Sequence, residues 1–266
     1  MRKEFLRKHA GPAPRYTSYP TAPHFHAGID GEVYARWLRQ LRPDQTLSLY
    51  IHIPYCDRLC WFCGCNTKQT LKYEPLKTYI AALENEMATI ASLIDPACRV
   101  TALHLGGGSP TMLRAEDMVA LDRALRSRFH FDADAEISVE MDPNDLTAEK
   151  YDALAAIGMT RASIGVQDFD EKVQKAINRE QTFEQTRDVV DQVRARGVRS
   201  VNCDVLYGLP HQTRKSVDRT IEQVLTLKPD RIALFGYAHV PWMKTHQKMI
   251  DESVLPDVTE RFAQMN

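Results

Sequence analysis

Apolar residues recur along this chain of 266 residues in two alternating textures. Short strand-like runs cover positions 47–54, 100–107, 135–143, 161–167, 200–210 and 231–241. Between them lie helix-length stretches at 75–94, 115–129, 147–157, 182–196 and 213–227, with a shorter one at 31–41 before the first strand. Strands alternating with helical patterns imply βαβ units, a parallel sheet and right-handed crossovers. The pattern therefore predicts an α/β fold, a (β/α)6 partial TIM-like barrel of parallel strands. In such barrels chemistry sits at the C-terminal ends of the strands. Polar or glycine-rich residues cluster at every one of these ends.

Ahead of the regular pattern, positions 11–25 read GPAPRYTSYPTAPHF, with four prolines and no strand or helix period. Proline fixes its own φ and restricts its predecessor, so an extended N-terminal arm is expected. Such an arm is either a disordered leader or a segment laid across the mouth of the site, where Arg15, Tyr16 and Tyr19 could meet an anionic, aromatic substrate. The expected division is 1–45 for the arm and short helix and 46–266 for the barrel. The last residues, RFAQMN, fall inside a helical pattern begun near Leu255, so a C-terminal truncation is expected.

Composition narrows the partners. With 44% hydrophobic residues the chain can bury one large core, and a net charge of −1 shows no polyelectrolyte partner such as nucleic acid. The basic start lacks the apolar stretch of a signal peptide, and no run approaches the ~18–20 apolar residues of a membrane span. A soluble, cytoplasmic monomer is the expectation.

The chemistry centres on YIHIPYCDRLCWFCGCN, residues 50–66, which places Cys56, Cys60, Cys63 and Cys65 just after the first strand. Crowded thiolates suit a soft metal or an iron–sulfur cluster. No second C-x2-C pair and no H-x3–5-H follows, which argues against a zinc ribbon. The C-x3-C-x2-C spacing is closest to a [4Fe–4S] site with three protein ligands and one open iron. A structural zinc knot and a disulfide pair remain the alternatives. The second strand ends in Gly106-Gly107-Gly108-Ser109, where backbone amides could approach a carboxylate or phosphate, although such a run is also an ordinary tight turn. Glu140, Gln167, Arg179 and Asp204 are polar groups at or near strand ends. A carboxylate such as Glu140 in an apolar strand needs a partner, either an Arg or Lys of a neighbouring strand or a ligand group. Arg179 could hold a carboxylate bidentately or simply end a helix. His52 reads as a hydrogen-bonded core residue, Cys98 and Cys203 as buried thiols, and Cys65 as a loop stabiliser or fourth ligand.

The three-cysteine spacing, with aromatic Phe62 before Cys63, resembles the radical S-adenosylmethionine (SAM) enzymes. The arm PRYTSYPT, CDRLCWFCGC, GGGSPT, VEMDP, SIGVQDFD, the Asn178-Arg179 pair, DVLYGLP and YAHVPW together resemble the oxygen-independent coproporphyrinogen III oxidase family. Asn144 departs from the arginine more usual after the DP pair. The resemblance implies that Cys56, Cys60 and Cys63 bind a [4Fe–4S] cluster, and that Tyr50, Gly107 and Glu140 contact a cluster-bound SAM. It further implies that Phe62, Gly108, Ser109, Gln167, Arg179, Asp204 and Ala238 line a second SAM site. The implied reaction converts two propionates of coproporphyrinogen III to vinyl groups, with electrons from a flavodoxin or ferredoxin. The competing expectations are a non-catalytic haem- or cluster-binding chaperone-like relative, a porphyrin-modifying radical methylase relative, and an inactive fragment.

Overall fold

The computed structural model describes residues 3–9, 20–144 and 146–266. After helix α1 (Lys3–His9) and a 3-10 turn at Ala22–His24 comes α2 (Gly31–Arg39), whose first turn is capped by Asp30 accepting from Val33 N. The chain then runs through β1 (Thr46–Ile53), the two-residue strands β2 (Tyr55–Cys56) and β3 (Lys68–Gln69), and α3 (Glu74–Leu93). The following units are β4 (Arg99–Gly107) with α4 (Ala115–Arg128), β5 (His130–Met141) with α5 (Ala148–Ala156), and β6 (Arg161–Gln167) with α6 (Glu171–Ala176) and α7 (Phe183–Ala195). Then come β7 (Ser200–Tyr207) with α8 (Arg214–Thr226), β8 (Arg231–Gly236), two 3-10 turns, and α9 (Val258–Met265).

Six strands form one sheet in the order β1-β4-β5-β6-β7-β8, every adjacent pair parallel. This is the expected partial barrel. It stays open between β1 and β8, so both are edges. Burial alternates along the central strands: Ala162, Ile164 and Val166 of β6 and Val201, Cys203 and Val205 of β7 are buried. They pack with residues of the surrounding helices such as Leu83, Leu121, Leu154, Val190 and Val224. Each such side chain contributes about 1.5–3 kcal/mol on leaving water. The intervening residues, including Ser163, Asn202 and Asp204, line the concave side. Capping boxes at Thr182/Gln185 and Thr213/Ser216 start α7 and α8 where polar loops hand over to apolar periodicity.

Several boundaries differ from the sequence expectation. Strand β5 starts at His130, five residues early, because parallel pairing with β4 extends to Arg99 and Val100. The fifth and sixth strands end at Tyr207 and Gly236, the last residues that pair between them, and Gly208 takes φ +83°. Helices α1 and α6 are too short to show a period. Arg15, Tyr16 and Tyr19 lie outside the described residues.

Candidate active site at the strand ends

The cysteine loop leaves β1 and is pinned at both ends. Strands β2 and β3 pair in parallel, Tyr55 with Lys68 and Cys56 with Gln69, so residues 57–67 form a loop with a closed base. Lys68 N donates to Pro54 O at 2.7 Å and Thr70 N to Cys56 O at 2.9 Å. His52 Nε2 donates to Asn66 O at 2.8 Å and its Nδ1 lies 2.9 Å from Tyr50 Oη, tying the loop's far end back to β1. It is a hydrogen-bonded scaffold residue, as the sequence suggested.

Gly107 and Gly108 explain why the next strand ends in glycines. Gly107 has φ +121°, a region costly for any L side chain. A Cβ on Gly108 would stand 2.6 Å from Tyr55 O and 2.9 Å from Cys56 Sγ. Gly107 N donates to Glu140 Oε2 at 3.0 Å, Gly108 N to Ile53 O at 2.8 Å and Ser109 N to Tyr55 O at 2.8 Å. The amides of Gly108 and Ser109 latch the end of β4 to the start of the cysteine loop, and that of Gly107 holds the Glu140 carboxylate.

Glu140, on β5, pairs with neither Arg nor Lys among the described residues. Its partners are the Gly107 amide and His104 Nε2, 3.2 Å from Oε1. His104 in turn stacks on Tyr50, ring centroids 5.6 Å apart. Tyr50, His104 and Glu140 thus form one group across β1, β4 and β5. Burial, helped by the Glu140 charge, pushes the Tyr50 phenol up. His104 was not anticipated, although it sits two residues before Gly106 on the same face of the strand.

Asp204 accepts from Ser163 Oγ at 3.1 Å and from Asn202 Nδ2 at 2.8 Å. Burial raises its pKa, and those two bonds oppose the rise. It lines a concave cavity of about 350 Å³ together with His104, Ser138 and Ser163. A larger depression of about 850 Å³ between α6 and α8 contains none of the predicted site residues. Gln167 closes β6 in a left-handed conformation, φ 65°, which for a non-glycine residue is strained and recurs at functional sites.

Among the cysteines, none of the six forms a disulfide. Cys56, Cys60 and Cys63 are partly buried and Cys65 is exposed. Cys56 Sγ lies 3.1 Å from Thr67 Oγ1, and Cys63 Sγ accepts from Cys65 N at 3.3 Å. Burial raises the Cys60 thiol while Arg179 opposes it. Hydrogen bonding to Cys65, with burial, raises Cys63. Among the described residues, no group of three or more His, Cys, Asp and Glu side chains is arranged to hold a single metal ion. Cys98 and Cys203 are buried, as expected.

The segment after β8 docks on this loop. Lys244 Nζ donates to Cys65 O at 2.8 Å, His246 Nε2 lies 2.7 Å from Cys63 O, and Gln247 Nε2 donates to Phe62 O at 3.0 Å. Gln247 also donates to Ala238 O at 3.2 Å. Phe62 packs in a small second core with Val173, Ile177, Leu209, Tyr237 and Ile250. Two of the predicted residues, Phe62 and Ala238, are therefore joined through a glutamine that no spacing announced.

A half-barrel of parallel strands with a cysteine loop at its first strand end, glycines at the second and a carboxylate at the third defines a recognisable class. The model of the radical SAM superfamily matches residues 50–224, and the chain belongs to that superfamily. The superfamily implies a [4Fe–4S] cluster and SAM as cofactors. The chain is 48% identical over 244 residues to the oxygen-independent coproporphyrinogen III oxidase of Paracoccus denitrificans, covering 92% of this chain and 54% of that protein. It is 39% identical over 262 residues to the enzyme of the same name from Helicobacter pylori, covering 97% and 57%. The solved coproporphyrinogen III oxidase HemN from Escherichia coli, a radical SAM enzyme, superposes with a TM-score of 0.91 at 38% identity, covering all of this chain and 59% of that one. The chain spans about half the length of the curated relatives it matches. No helix of the described residues is long and apolar enough to cross a membrane.

Proposed function

We propose that this chain carries the cluster- and SAM-binding barrel of an oxygen-independent coproporphyrinogen III oxidase, with residues 46–266 as the barrel. The reaction is oxidative decarboxylation of two propionate side chains of coproporphyrinogen III to vinyl groups, giving protoporphyrinogen IX. The observation that carries this reading is the match of 92% of this chain to about half the length of enzymes of that name, with the cysteine loop docked at the end of β1.

The donor set fits a cluster with three protein ligands. Cys56, Cys60 and Cys63 share one pinned loop, outside any disulfide, with Gly108 leaving room beside the Cys56 sulfur. When bound, the cluster and SAM supply the 5′-deoxyadenosyl radical that abstracts hydrogen from a propionate. The chain's own residues bind and orient. Tyr50, Gly107 and Glu140 face a first SAM, Glu140 supplying an acceptor for an ammonium or ribose hydroxyl. Phe62, Gly108, Ser109, Gln167, Arg179, Asp204 and Ala238 line a second SAM. The engaged amides of residues 107–109 mean that any SAM group met there is read by acceptors or by shape. The concave, polar lumen brings the reacting groups to close range. Electrons come from a flavodoxin- or ferredoxin-type donor, and the protein acts as a cytoplasmic monomer.

The test is anaerobic cluster reconstitution, reduction in the presence of SAM and coproporphyrinogen III, and mass analysis. Vinyl products with 5′-deoxyadenosine support the reading. Deoxyadenosine without decarboxylation places the chain among radical SAM enzymes but removes this substrate from it. Absence of a cluster from the wild-type chain, or its retention in Cys60→Ala, overturns the ligand assignment.

A further inference from the structure

Arg179 lies behind the cysteine loop, with its side chain only 11% exposed. Its Nη1 donates to Asp142 Oδ2 at 2.8 Å and to Cys60 Sγ at 3.6 Å, while Nη2 donates to Gly165 O at 2.8 Å. A Cβ at position 165 would come within 2.8 Å of Nη2, so glycine there makes the space. The two preceding residues hold the same stretch of loop independently. Ile177 O accepts from Trp61 N at 2.9 Å, and Asn178 Nδ2 donates to Leu59 O at 3.0 Å. The guanidinium is therefore fixed against the Cys60 sulfur by backbone docking on both sides of it.

We propose that Arg179 and Asp142 form a charge pair that sets the reduction potential of the cluster held through Cys60, the arginine raising it and the aspartate restraining it. This rests on the reading of Cys60 as a cluster ligand. One-electron reduction adds negative charge to the cluster and its sulfurs. A cationic N–H aimed at a ligating sulfur stabilises that added charge, and hydrogen bonds to sulfur and local net charge are established levers on such potentials. Asp142 carries the opposite sign 2.8 Å from the same nitrogen and offsets part of the effect. Both groups are held away from bulk solvent, at 11% and 18% side-chain exposure, where screening is weak.

The experiment is an anaerobic redox titration of reconstituted wild type, Arg179→Met, Arg179→Lys and Asp142→Asn, followed by the paramagnetic signal of the reduced cluster without SAM. Arg179→Met is expected to lower the reduced-to-oxidised ratio at the wild-type midpoint about tenfold, equivalent to about 59 mV for a one-electron couple. Asp142→Asn moves it in the opposite direction, and Arg179→Lys stays between Arg179→Met and wild type. Both neutralising variants break the same ion pair, so simple loosening of the loop moves them the same way. Shifts of equal sign, no shift, or failure of Arg179→Met to assemble a cluster overturns the proposal. A wild-type chain without a cluster overturns the ligand reading as well, whereas a clustered wild type with unshifted variants overturns this inference alone.

Discussion

Gln247→Ala removes a side chain that is 1% exposed and joins three segments. Its amide nitrogen donates to Phe62 O and Ala238 O, and its oxygen accepts from Val240 N at 2.6 Å. Each bond contributes about 0.5–1.5 kcal/mol net, and a part-buried Val240 N–H left without a partner pushes the cost toward the upper end. Together with the lost methylene packing, about 3–4 kcal/mol is expected, a large share of the ~5–15 kcal/mol that stabilises a typical domain. With a urea m-value of about 3 kcal/mol/M, the unfolding midpoint of the cluster-free chain falls by ~1 M at unchanged m. Gln247→Glu supplies the control. Its carboxylate faces two carbonyl oxygens at neutral pH, so the variant is as unstable as Gln247→Ala. A group favoured in its protonated form by the fold contributes stability at low pH that is lost as pH rises, so the Glu deficit shrinks toward about pH 4. A midpoint shift below ~0.3 M for Gln247→Ala, or a Glu variant whose deficit ignores pH, refutes the assignment of Gln247 as the anchor of the cysteine loop.

Gly108→Ala forces a methyl group against Tyr55 O and Cys56 Sγ. It should cost about 1–3 kcal/mol in urea unfolding and lower the iron bound per chain after reconstitution. His104→Phe keeps a ring on Tyr50 but removes one of the two partners of Glu140, leaving the Gly107 amide. SAM binding by equilibrium dialysis should weaken about fivefold (~1 kcal/mol) with cluster content unchanged. Asp168 is 1% exposed and its carboxyl pKa is raised by burial, although Gln212, Thr220 Oγ1 and Asp170 N all donate to it. A raised carboxyl contributes stability below about pH 4 that is lost as pH climbs through the folded value. The stability of wild type relative to Asp168→Asn should therefore be greater at pH 4 than at pH 7, and a difference that is flat or grows with pH contradicts the burial effect.

Much of the architecture could be read from local pattern. Six apolar runs separated by helix-length stretches predicted six parallel strands, and all six pair in chain order. This works because strand and helix formation depend on residues within a few positions, and because a βαβ unit has only one favoured hand. The cysteine spacing, the glycines after β4 and the acid in β5 were also legible, since each is a short motif at a strand end. The two-residue ladder of β2 and β3, and the short helices α1 and α6, fall below any period.

The chain order by itself determined the sheet, its helical cover and the loop bearing the four clustered cysteines. Only the tertiary structure decided what surrounds that loop. Lys244, His246 and Gln247 reach carbonyls at 65, 63 and 62 from about 180 residues away, and Arg179 meets Cys60 and Asp142 where three strand ends converge. Polar side chains that bond to backbone carbonyls need no particular spacing and no particular partner residue. They leave no trace in the sequence, and they exist only once the barrel has brought its strand ends together. The same convergence turned the amides of residues 107–109 inward, onto Glu140 and the start of the loop, because buried N–H groups take the nearest acceptor the fold presents.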